Sequence, residues 1–419
     1  MKSLSEIHVT GKRPLGGCIS IQGSKNAALP MMAASVLHRG ISVLKGCPRI
    51  ADVFGMEEIL RNLGAVTWWE NHDLFLDCTG ADKTVIERSF TEKMRSSVIL
   101  LGVMLARNKK GCTGYPGGCV IGARPVDLHL QALRGLGASV SEGASFISAK
   151  CEKLTGAEIV FGKRSVRATQ QGILAAVLAE GETRLVNCSG EPEVVWLCRY
   201  LRKMGALIEG EGSSCICIQG VKELGGGEME IPPDRIVAGT YICAAAAARS
   251  EIIIENPPRG EMEAFLEVYR KMGGQYEVNS GKLMVNGKSV CRPVELVETK
   301  SYPGFPTDLQ SPLMAVLATI PGVSRIRENI FEDRYKAAEE LVRMGAHIEI
   351  TGKDARIEGG YPLHGCHVTA RELRGGAALV IAGLAAEGET CVKRADFISR
   401  GYEHICEDLN ILGACTHLI

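Results

Sequence analysis

The chain contains one run, PGGCVIGARPVD at residues 116–127, that combines residue types able to do acid–base or nucleophilic chemistry. It places a single thiol, Cys119, directly after two glycines and five residues before Arg124. Glycines leave backbone N–H groups accessible to an anion, and a nearby guanidinium lowers the pKa of a thiol and binds carboxylate or phosphate. The run therefore indicates an active-site loop. The alternative is a buried structural cysteine beside a surface arginine.

A second segment, GSKNAALP at residues 23–30, has the pattern of an anion-binding turn. It follows a strand-like stretch at residues 18–22 and opens an apolar helix, so helix N–H groups and the Lys25 ammonium would attract the same anion. The spacing of a Walker-type nucleotide loop is absent from it. The alternative is an ordinary strand-to-helix turn in which Ser24 caps the helix and Lys25 is exposed to solvent.

The elements that must position these segments recur six times. A helix-like stretch ends in Gly-Ala or Gly-Gly at Gly64, Gly137, Gly205, Gly273, Gly345 and Gly413. Glycine suits a helix C-terminus. In the third copy, apolar residues at steps of three and four follow Glu191-Pro192-Glu193 and predict a helix with one apolar face, and residues 206–218 then alternate like a hairpin.

Each repeat is therefore predicted to run strand, helix, strand, helix, strand, strand. A repeat of about 70 residues is longer than those of open solenoids. We therefore expect an α/β fold of globular domains, with three repeats in each of two domains.

Composition excludes several classes of function. Lys plus Arg and Asp plus Glu both number 48, so the formal net charge is zero and no global field attracts nucleic acid or an anionic membrane. No apolar run approaches the roughly 20 residues of a membrane span, and residues 1–8 lack the apolar core of a signal peptide. The 16 cysteines show no paired C-x-x-C spacing. We expect a cytoplasmic protein with reduced thiols, no metal and no cofactor, whose oligomeric state the sequence leaves open.

Eight short motifs extend over nearly the whole chain: GSKNAALP (23–30), MRSS (94–97), PGGCVIGARPVD (116–127), EPE (191–193), PPDRIVAGT (232–240), FPTDLQ (305–310), FEDRY (331–335) and RGYEH (400–404). Together they resemble the UDP-N-acetylglucosamine 1-carboxyvinyltransferase family, the enolpyruvyl transferases that open bacterial peptidoglycan synthesis. The sister family, 5-enolpyruvylshikimate-3-phosphate synthase, has the same repeat but is similar to GSKS rather than GSKN and has no PGGC loop.

The resemblance implies a two-domain inside-out α/β barrel built from the six repeats. We expect one domain to comprise residues 1–23 and 234–419, closed by both termini, and the other to comprise residues 24–233 and carry the Cys119 loop. It also implies two small-molecule substrates, phosphoenolpyruvate and UDP-N-acetylglucosamine, over which the domains close.

The resemblance also implies roles for particular residues. Cys119 matches the family's cysteine, which protonates the vinyl carbon of phosphoenolpyruvate and can form a covalent adduct. Asp308 matches the carboxylate beside the acceptor 3-hydroxyl and is the candidate general base, although it could also cap a helix that begins near Leu309. Lys25 and Arg400 are implied in catalysis as well as binding. The implied phosphoenolpyruvate-binding residues are Lys25, Asn26, Arg124, Arg374 and Arg400, with Arg334 adding positive charge where phosphate leaves.

The implied UDP-N-acetylglucosamine site draws on more of the chain. Its members are Asn26, Arg95, Arg124, Pro125, Val126, Asp127, Leu128, Lys163, Ser165, Val166, Asp308, Ile330 and Arg334. The chain departs from the family's pattern at three points, with Arg167 in place of the glycine of SVG, Glu372 in place of an aspartate, and Ser399 in place of an aspartate.

These departures leave two alternatives open. One is a related enzyme that transfers enolpyruvyl to another acceptor. The other is a protein that binds a UDP-sugar without turnover, although a binding module has no need of an acidic thiol such as Cys119.

Overall fold

The computed structural model of the protein describes residues 5–92, 94–117, 121–122, 125–258 and 260–419. Up to residue 117 the elements are β1 (Glu6–Thr10), β2 (Cys18–Ile19), α1 (Lys25–Ser35), β3 (Ile41–Lys45), α2 (Ala51–Leu63), β4 (Val66–Glu70), β5 (Asp73–Asp77), β6 (Val85–Ile86), α3 (Arg88–Thr91), a 3-10 helix (Arg95–Ile99), α4 (Leu100–Asn108) and β7 (Lys110–Gly114).

Residues 125–232 form α5 (Asp127–Gly135), β8 (Ser139–Glu142), β9 (Phe146–Lys150), β10 (Glu158–Val160), α6 (Val166–Ala176), β11 (Glu182–Val186), α7 (Pro192–Lys203), β12 (Leu207–Glu209), β13 (Cys215–Gln219) and β14 (Glu228–Glu230). The remainder forms α8 (Arg235–Ala247), β15 (Glu251–Ile254), α9 (Glu263–Lys271), β16 (Gln275–Asn279), β17 (Lys282–Asn286), β18 (Val297–Glu298), a 3-10 helix (Thr307–Leu309), α10 (Gln310–Leu317), β19 (Gly322–Arg327), α11 (Lys336–Arg343), β20 (His347–Thr351), β21 (Asp354–Gly359), β22 (His367–Thr369), α12 (Leu373–Ala385), β23 (Glu389–Lys393), a 3-10 helix (Ala395–Arg400), α13 (Ile405–Ile411) and β24 (Cys415–Leu418).

The described strands form six sheets of four, and each sheet repeats one topology. A parallel pair is followed by two antiparallel neighbours, as in β10-β11-β13-β12, where β12 and β13 form the hairpin predicted from residues 206–218. In the last sheet, β22-β23-β1-β24, the N-terminal strand β1 pairs antiparallel with both β23 and β24. The predicted α/β class and its six repeats are confirmed.

All six repeat glycines end their helices in the same way. Each has a positive φ, between 90° and 109°, which places it in the left-handed region. In the third copy the N–H of Gly205 donates to the carbonyl of Arg202, and the N–H of Ala206 donates to that of Leu201. The other five copies form the same pair of hydrogen bonds, which is the Schellman motif. A local backbone requirement therefore explains the sequence signal that identified the repeat.

Two of these glycines provide a matched pair for a stability test. A Cβ added at Gly205 meets nothing within 4 Å, whereas one at Gly64 lies 2.3 Å from the carbonyl oxygen of Gly80. Gly205→Ala is expected to lower the free energy of unfolding by about 1 kcal/mol, the cost of left-handed backbone for an L-residue. Gly64→Ala adds a backbone clash and should lower it further. Urea unfolding midpoints measure both losses of stability. Equal losses would show that the left-handed backbone causes them and that the clash at Gly64 adds nothing.

The chain divides into two compact units, each with its own apolar core. The terminal unit comprises residues 5–22 and Pro233–Ile419, and the inserted unit comprises residues 23–117 and 125–232. The divisions fall one residue before the predicted ones at both points. Ile121 and Gly122 group with the terminal unit, where the N–H of Asp333 donates to the Ile121 carbonyl at 3.2 Å. The sequence predicts these two residues within 24–233.

Each unit packs its sheets around three central helices. In the terminal unit these are α8, α10 and α12, which contact one another, and every residue of α8 and α10 is buried. In the inserted unit α1, α4 and α6 are the equivalent helices. A helix that is apolar all round must be buried, and the sheets cover these helices with one apolar face each. No helix among the described residues is both long and apolar enough to cross a bilayer.

Candidate active site

Four of the predicted binding residues lie where central helices begin. In the terminal unit Asp308 lies in the 3-10 turn leading into α10, and Arg374 is the second residue of α12. In the inserted unit Lys25 begins α1, and Ser165 is the N-cap of α6. Helix N-termini present free N–H groups and the positive end of the helix dipole, which favours anionic ligands.

Asp308 joins two buried guanidiniums. Its Oδ1 lies 2.8 Å from Nη2 of Arg334, and its Oδ2 lies 3.4 Å from Nη2 of Arg374. The side chains of Arg334 and Arg374 are 3% and 2% exposed, whereas that of Asp308 is 28% exposed. The alternative of Asp308 as a helix cap is wrong, because Pro306 and Leu309 occupy the N-cap positions. The carboxylate is thus held by two cations and remains accessible.

Arg374 has the surroundings of an anion-binding guanidinium. Burial acts to lower its pKa, but Tyr402, Asp308 and Asp234 act in the opposite direction and raise the pKa above its usual value. Its guanidinium carbon lies 5.4 Å from the centre of the Tyr402 ring. Among the described residues, Nε and Nη1 of Arg374 and Nε of Arg334 have no hydrogen-bond acceptor. Buried charged donors of this kind are suited to an oxyanion ligand.

Glu372 serves as the N-cap of α12. Its carboxylate accepts hydrogen bonds from the backbone N–H groups of Arg374, at 2.8 Å, and Gly375. Its Oε2 also lies 3.7 Å from Nη1 of Arg334. The longer side chain at this departure from the family's pattern therefore still caps the helix and contacts the arginine cluster.

Glu328 ties the Asp308 turn to the segment that carries Ile330 and Arg334. It is 2% exposed, and its Oε2 accepts a hydrogen bond from the Thr307 hydroxyl at 2.9 Å. Its Oε1 accepts from the N–H groups of Ile330, at 2.7 Å, and Phe331, at 3.1 Å. One buried carboxylate thus sets the position of both neighbouring segments.

Arg400 ends the 3-10 helix Ala395–Arg400 and is half-buried. The loop that follows is fixed by Gln22, whose Nε2 donates to the Gly401 carbonyl at 3.2 Å and whose Oε1 accepts from the Glu403 N–H at 2.8 Å. Ser399, the third departure, is exposed and donates its hydroxyl to the Asp396 carbonyl at 3.0 Å.

In the inserted unit, Lys25 forms an ion pair with Asp52. The distance from Nζ to Oδ2 is 3.2 Å, and the two side chains are 12% and 11% exposed. The alternative of a solvent-exposed Lys25 is therefore wrong. Asn26 follows it on α1 and is half-buried, as is Arg95, which begins the 3-10 helix leading into α4.

The predicted diphosphate residues gather at the start of α6. Ser165 accepts a capping hydrogen bond from the Ala168 N–H at 3.4 Å, and Val166 begins the helix. Lys163 is exposed just before it. Arg167 is half-buried, and its Nη1 donates to Oε1 of the buried Gln170 at 3.2 Å.

The predicted uridine run leads into α5. Pro125 is exposed, Val126 is the N-cap, Asp127 is the first helical residue and Leu128 is buried. Cys119 and Arg124 lie outside the described residues.

The family of this chain follows from its relatives. Residues 9–409 match the family model described as EPSP synthase (3-phosphoshikimate 1-carboxyvinyltransferase). UDP-N-acetylglucosamine 1-carboxyvinyltransferase of Sorangium cellulosum is 43% identical over 418 residues, covering 99% of this chain and 98% of the relative. UDP-N-acetylglucosamine 1-carboxyvinyltransferase 2 of Caldanaerobacter subterraneus subsp. tengcongensis is 41% identical over 98% of this chain and 99% of the relative. The chain belongs to the EPSP synthase family.

Solved structures of this family show the same fold. The enolpyruvyl transferase NikO from Streptomyces tendae matches with a TM-score of 0.88 at 22% identity, covering 99% of both chains. EPSP synthase from Acinetobacter baumannii matches with a TM-score of 0.76 at 18% identity, covering 100% of both chains.

Three site neighbours in this EPSP synthase family member were not predicted from sequence: Asp52, Glu328 and Tyr402. Tyr402 lies in the RGYEH motif, which marked Arg400 but assigned no role to the ring. Glu328 follows β19 and precedes the predicted Ile330, so its position in the sequence was a usable signal. Nothing in the sequence marked Asp52, because its role depends on where α2 packs.

Proposed function

We propose that this protein transfers the enolpyruvyl group of phosphoenolpyruvate to the 3-hydroxyl of UDP-N-acetylglucosamine, releasing phosphate as the first committed step of peptidoglycan synthesis. One observation carries the proposal: relatives bearing that acceptor and reaction in their names match 97–99% of the chain at 41–43% identity. The arginine cluster around Asp308 supports it independently, since phosphoenolpyruvate carries both a carboxylate and a phosphate.

The reaction needs one proton removed and one delivered. Asp308 takes the proton of the acceptor 3-hydroxyl, whose oxygen then bonds to C-2 of phosphoenolpyruvate. Cys119 delivers a proton to C-3, which gives a tetrahedral adduct. A C-3 proton then returns to the Cys119 thiolate while the C-2–phosphate bond breaks, and the phosphate leaves with the proton held by Asp308. This elimination restores the double bond and leaves the enolpyruvyl ether.

The cationic residues hold the anionic groups. In the terminal unit the free N–H groups of Arg334 and Arg374 bind the departing phosphate, and Arg400 binds phosphoenolpyruvate. In the inserted unit Lys25 and Asn26 serve the same substrate, with Arg124 proposed from the sequence.

The nucleotide sugar is assigned to helix N-termini of the inserted unit. The starts of α5 and α6 bind uridine and diphosphate, through residues 125–128 and through Lys163, Ser165 and Val166. Arg95, Asn26 and Ile330 are assigned to the same substrate from the sequence.

Phosphate release from phosphoenolpyruvate, measured with and without UDP-N-acetylglucosamine, tests the function. We expect release that depends on the acceptor and a product containing the enolpyruvyl ether by mass spectrometry. The absence of acceptor-dependent release would contradict the proposal.

A second candidate is the same transfer to another acceptor, and Arg167 is the observation that favours it. This side chain stands at the first turn of α6, where the proposed diphosphate binds. A panel of UDP-N-acetylgalactosamine, UDP-glucose and shikimate 3-phosphate separates the candidates, because only the true acceptor should support fast release at micromolar concentration.

We also propose a cytoplasmic location and no nucleic-acid or membrane partner. All fifteen cysteines that the structure describes are free thiols, as expected in a reducing compartment. The zero formal net charge supports the proposal that the protein has no nucleic-acid or membrane partner.

Glu328 is expected to act as a positioning residue. Glu328→Gln keeps the volume but removes the charge that accepts three hydrogen bonds, so we expect a loss of about 2 kcal/mol in the free energy of unfolding. Because the Asp308 turn and the Ile330 segment then shift, kcat should fall roughly 10- to 100-fold. Urea unfolding and steady-state phosphate release measure the two effects.

The controls separate positioning from stability. Glu339→Gln, at an exposed glutamate paired with Arg371, should change neither quantity. Thr307→Ser retains the hydroxyl and should keep kcat, whereas Thr307→Val should lower it. If Glu328→Gln is less stable but has unchanged kcat when fully folded, Glu328 is purely structural.

A further inference from the structure

A cluster of metal-ligating side chains lies on the sheet β22-β23-β1-β24, apart from the site above. Glu6 and His8 stand on β1, and Cys391 stands opposite His8 on β23. Ile7 and Val9, which alternate with them, are buried in the core, so Glu6 and His8 are on the opposite face. It is the only group of three or more His, Cys, Asp or Glu ligand atoms within metal-binding distance among the described residues.

The three donor atoms already lie close to the separations of a metal site. Nε2 of His8 is 3.7 Å from Oε2 of Glu6, and Sγ of Cys391 is 3.1 Å from the same oxygen. All three atoms lie within 4.8 Å of one another. Tetrahedral zinc, with bonds of about 2.0–2.3 Å, separates its ligand atoms by roughly 3.3–3.6 Å. Small rotamer adjustments would therefore complete the geometry.

A further carboxylate orients the imidazole. Nδ1 of His8 lies 3.5 Å from Oε1 of Glu389, which leaves Nε2 directed toward Glu6. Metal-ligating histidines typically have such a carboxylate on their other nitrogen, where it fixes the tautomer. This contact is independent of the three donor atoms and points to the same use of His8.

Other charged and titratable groups face the cluster. Lys393 stands opposite Glu6 on β23, His367 stands opposite Cys391 on β22, and His417 stands opposite His8 on β24. The side chains of Glu6 and His8 are 31% and 21% exposed, so an ion can reach them from solvent.

We propose that Glu6, His8 and Cys391 bind one zinc ion, with water as the fourth ligand, and that this ion fastens β1 to β23. A thiolate, an imidazole and a carboxylate form a donor set that suits zinc. Because β1 begins the described chain and β23 belongs to its last repeat, the ion would close the terminal unit. The site shares no residue with the proposed enzymatic function.

Binding replaces a proton by the metal. Burial and a hydrogen bond to Glu6 raise the pKa of the Cys391 thiol to about 11, so the thiol is protonated without metal. On binding, the S–H proton passes to solvent and the sulfur electron pair forms the zinc bond, with no change in oxidation state.

Cobalt(II) substitution in the full-length protein, kept reduced by a phosphine, tests the site. We expect thiolate-to-cobalt charge-transfer absorption that saturates at one equivalent and is displaced by zinc. Cys391→Ser and His8→Gln should lose it. Cys215→Ser/Cys217→Ser, which removes two thiols from β13 in the inserted unit, should retain it.

Thermal unfolding gives a second readout that needs no enzymatic activity. Zinc should raise the midpoint of the wild type and of the Cys215→Ser/Cys217→Ser variant, but not those of Cys391→Ser or His8→Gln. The proposal is overturned if the wild type shows no saturable band, or if Cys391→Ser and His8→Gln keep the band and the zinc-induced shift. Either result would leave the proposed enolpyruvyl transfer standing, because the phosphate-release assay tests it separately.

Discussion

Replacing Cys119 by alanine is expected to lower the rate of acceptor-dependent phosphate release by about 10²–10⁴-fold, the usual contribution of a general acid. The thiol is proposed to protonate C-3 of phosphoenolpyruvate and to form a covalent adduct, and alanine can do neither. Serine should be nearly as inactive, because a hydroxyl is a far weaker acid than a thiol. Cys119→Asp should retain more activity, since a carboxyl group can still donate a proton. Initial rates of phosphate release measure all three.

The matched control is Cys112→Ser, at the preceding cysteine on β7, which should turn over normally. An epoxide that mimics phosphoenolpyruvate should alkylate the wild type at a single site and leave Cys119→Ala unmodified, as mass spectrometry would record. Normal turnover by Cys119→Ala would refute the mechanism.

Asp308→Asn is expected to lower kcat by about 10²–10⁴-fold with a smaller change in the KM for the acceptor. The amide cannot accept the proton of the 3-hydroxyl, although it keeps the size of the side chain. It also leaves two buried guanidiniums without their shared counter-charge, although Glu372 lies 3.7 Å from Arg334 and Asp234 still interacts with Arg374. We therefore expect some loss of stability, moderated by the 28% exposure of Asp308.

The kinetic pattern distinguishes a base from a binding residue. Asp354→Asn, at an exposed aspartate paired with Arg327, is the matched control and should leave kcat unchanged. If Asp308→Asn raises the KM for the acceptor while kcat stays the same, Asp308 binds the acceptor but is not the base. Unfolding midpoints measured alongside exclude loss of folded protein as the cause.

The repeat could be predicted from the sequence because its signals are local. A helix that ends at Gly205 needs left-handed backbone there, and the same requirement recurs at Gly64 and the other four copies. The apolar face of α7 likewise depends only on the spacing of Val194, Leu197 and Leu201, all of which are buried. Motifs then marked the starts of the central helices.

Pairings between distant residues could not be predicted in this way. Asp308 was expected beside the acceptor, but its contact with Arg374 depends on how α10 and α12 pack. Glu328 and Asp52 acquire roles only from the segments that fold against them. The cysteine spacing indicated no metal site, yet strand pairing brings Cys391 within 3.1 Å of Glu6.

By itself, the sequence determined the helix ends, the apolar faces, the α/β class and the motifs that carry the chemistry. These depend on backbone preferences and side-chain periodicity within a few residues of chain. Only the tertiary structure decided which charges meet, namely Asp308 with its two arginines and Lys25 with Asp52. It also decided that β1 pairs with β23. Such contacts join residues tens to hundreds of positions apart, and helix packing and strand register, rather than spacing along the chain, determine their distances.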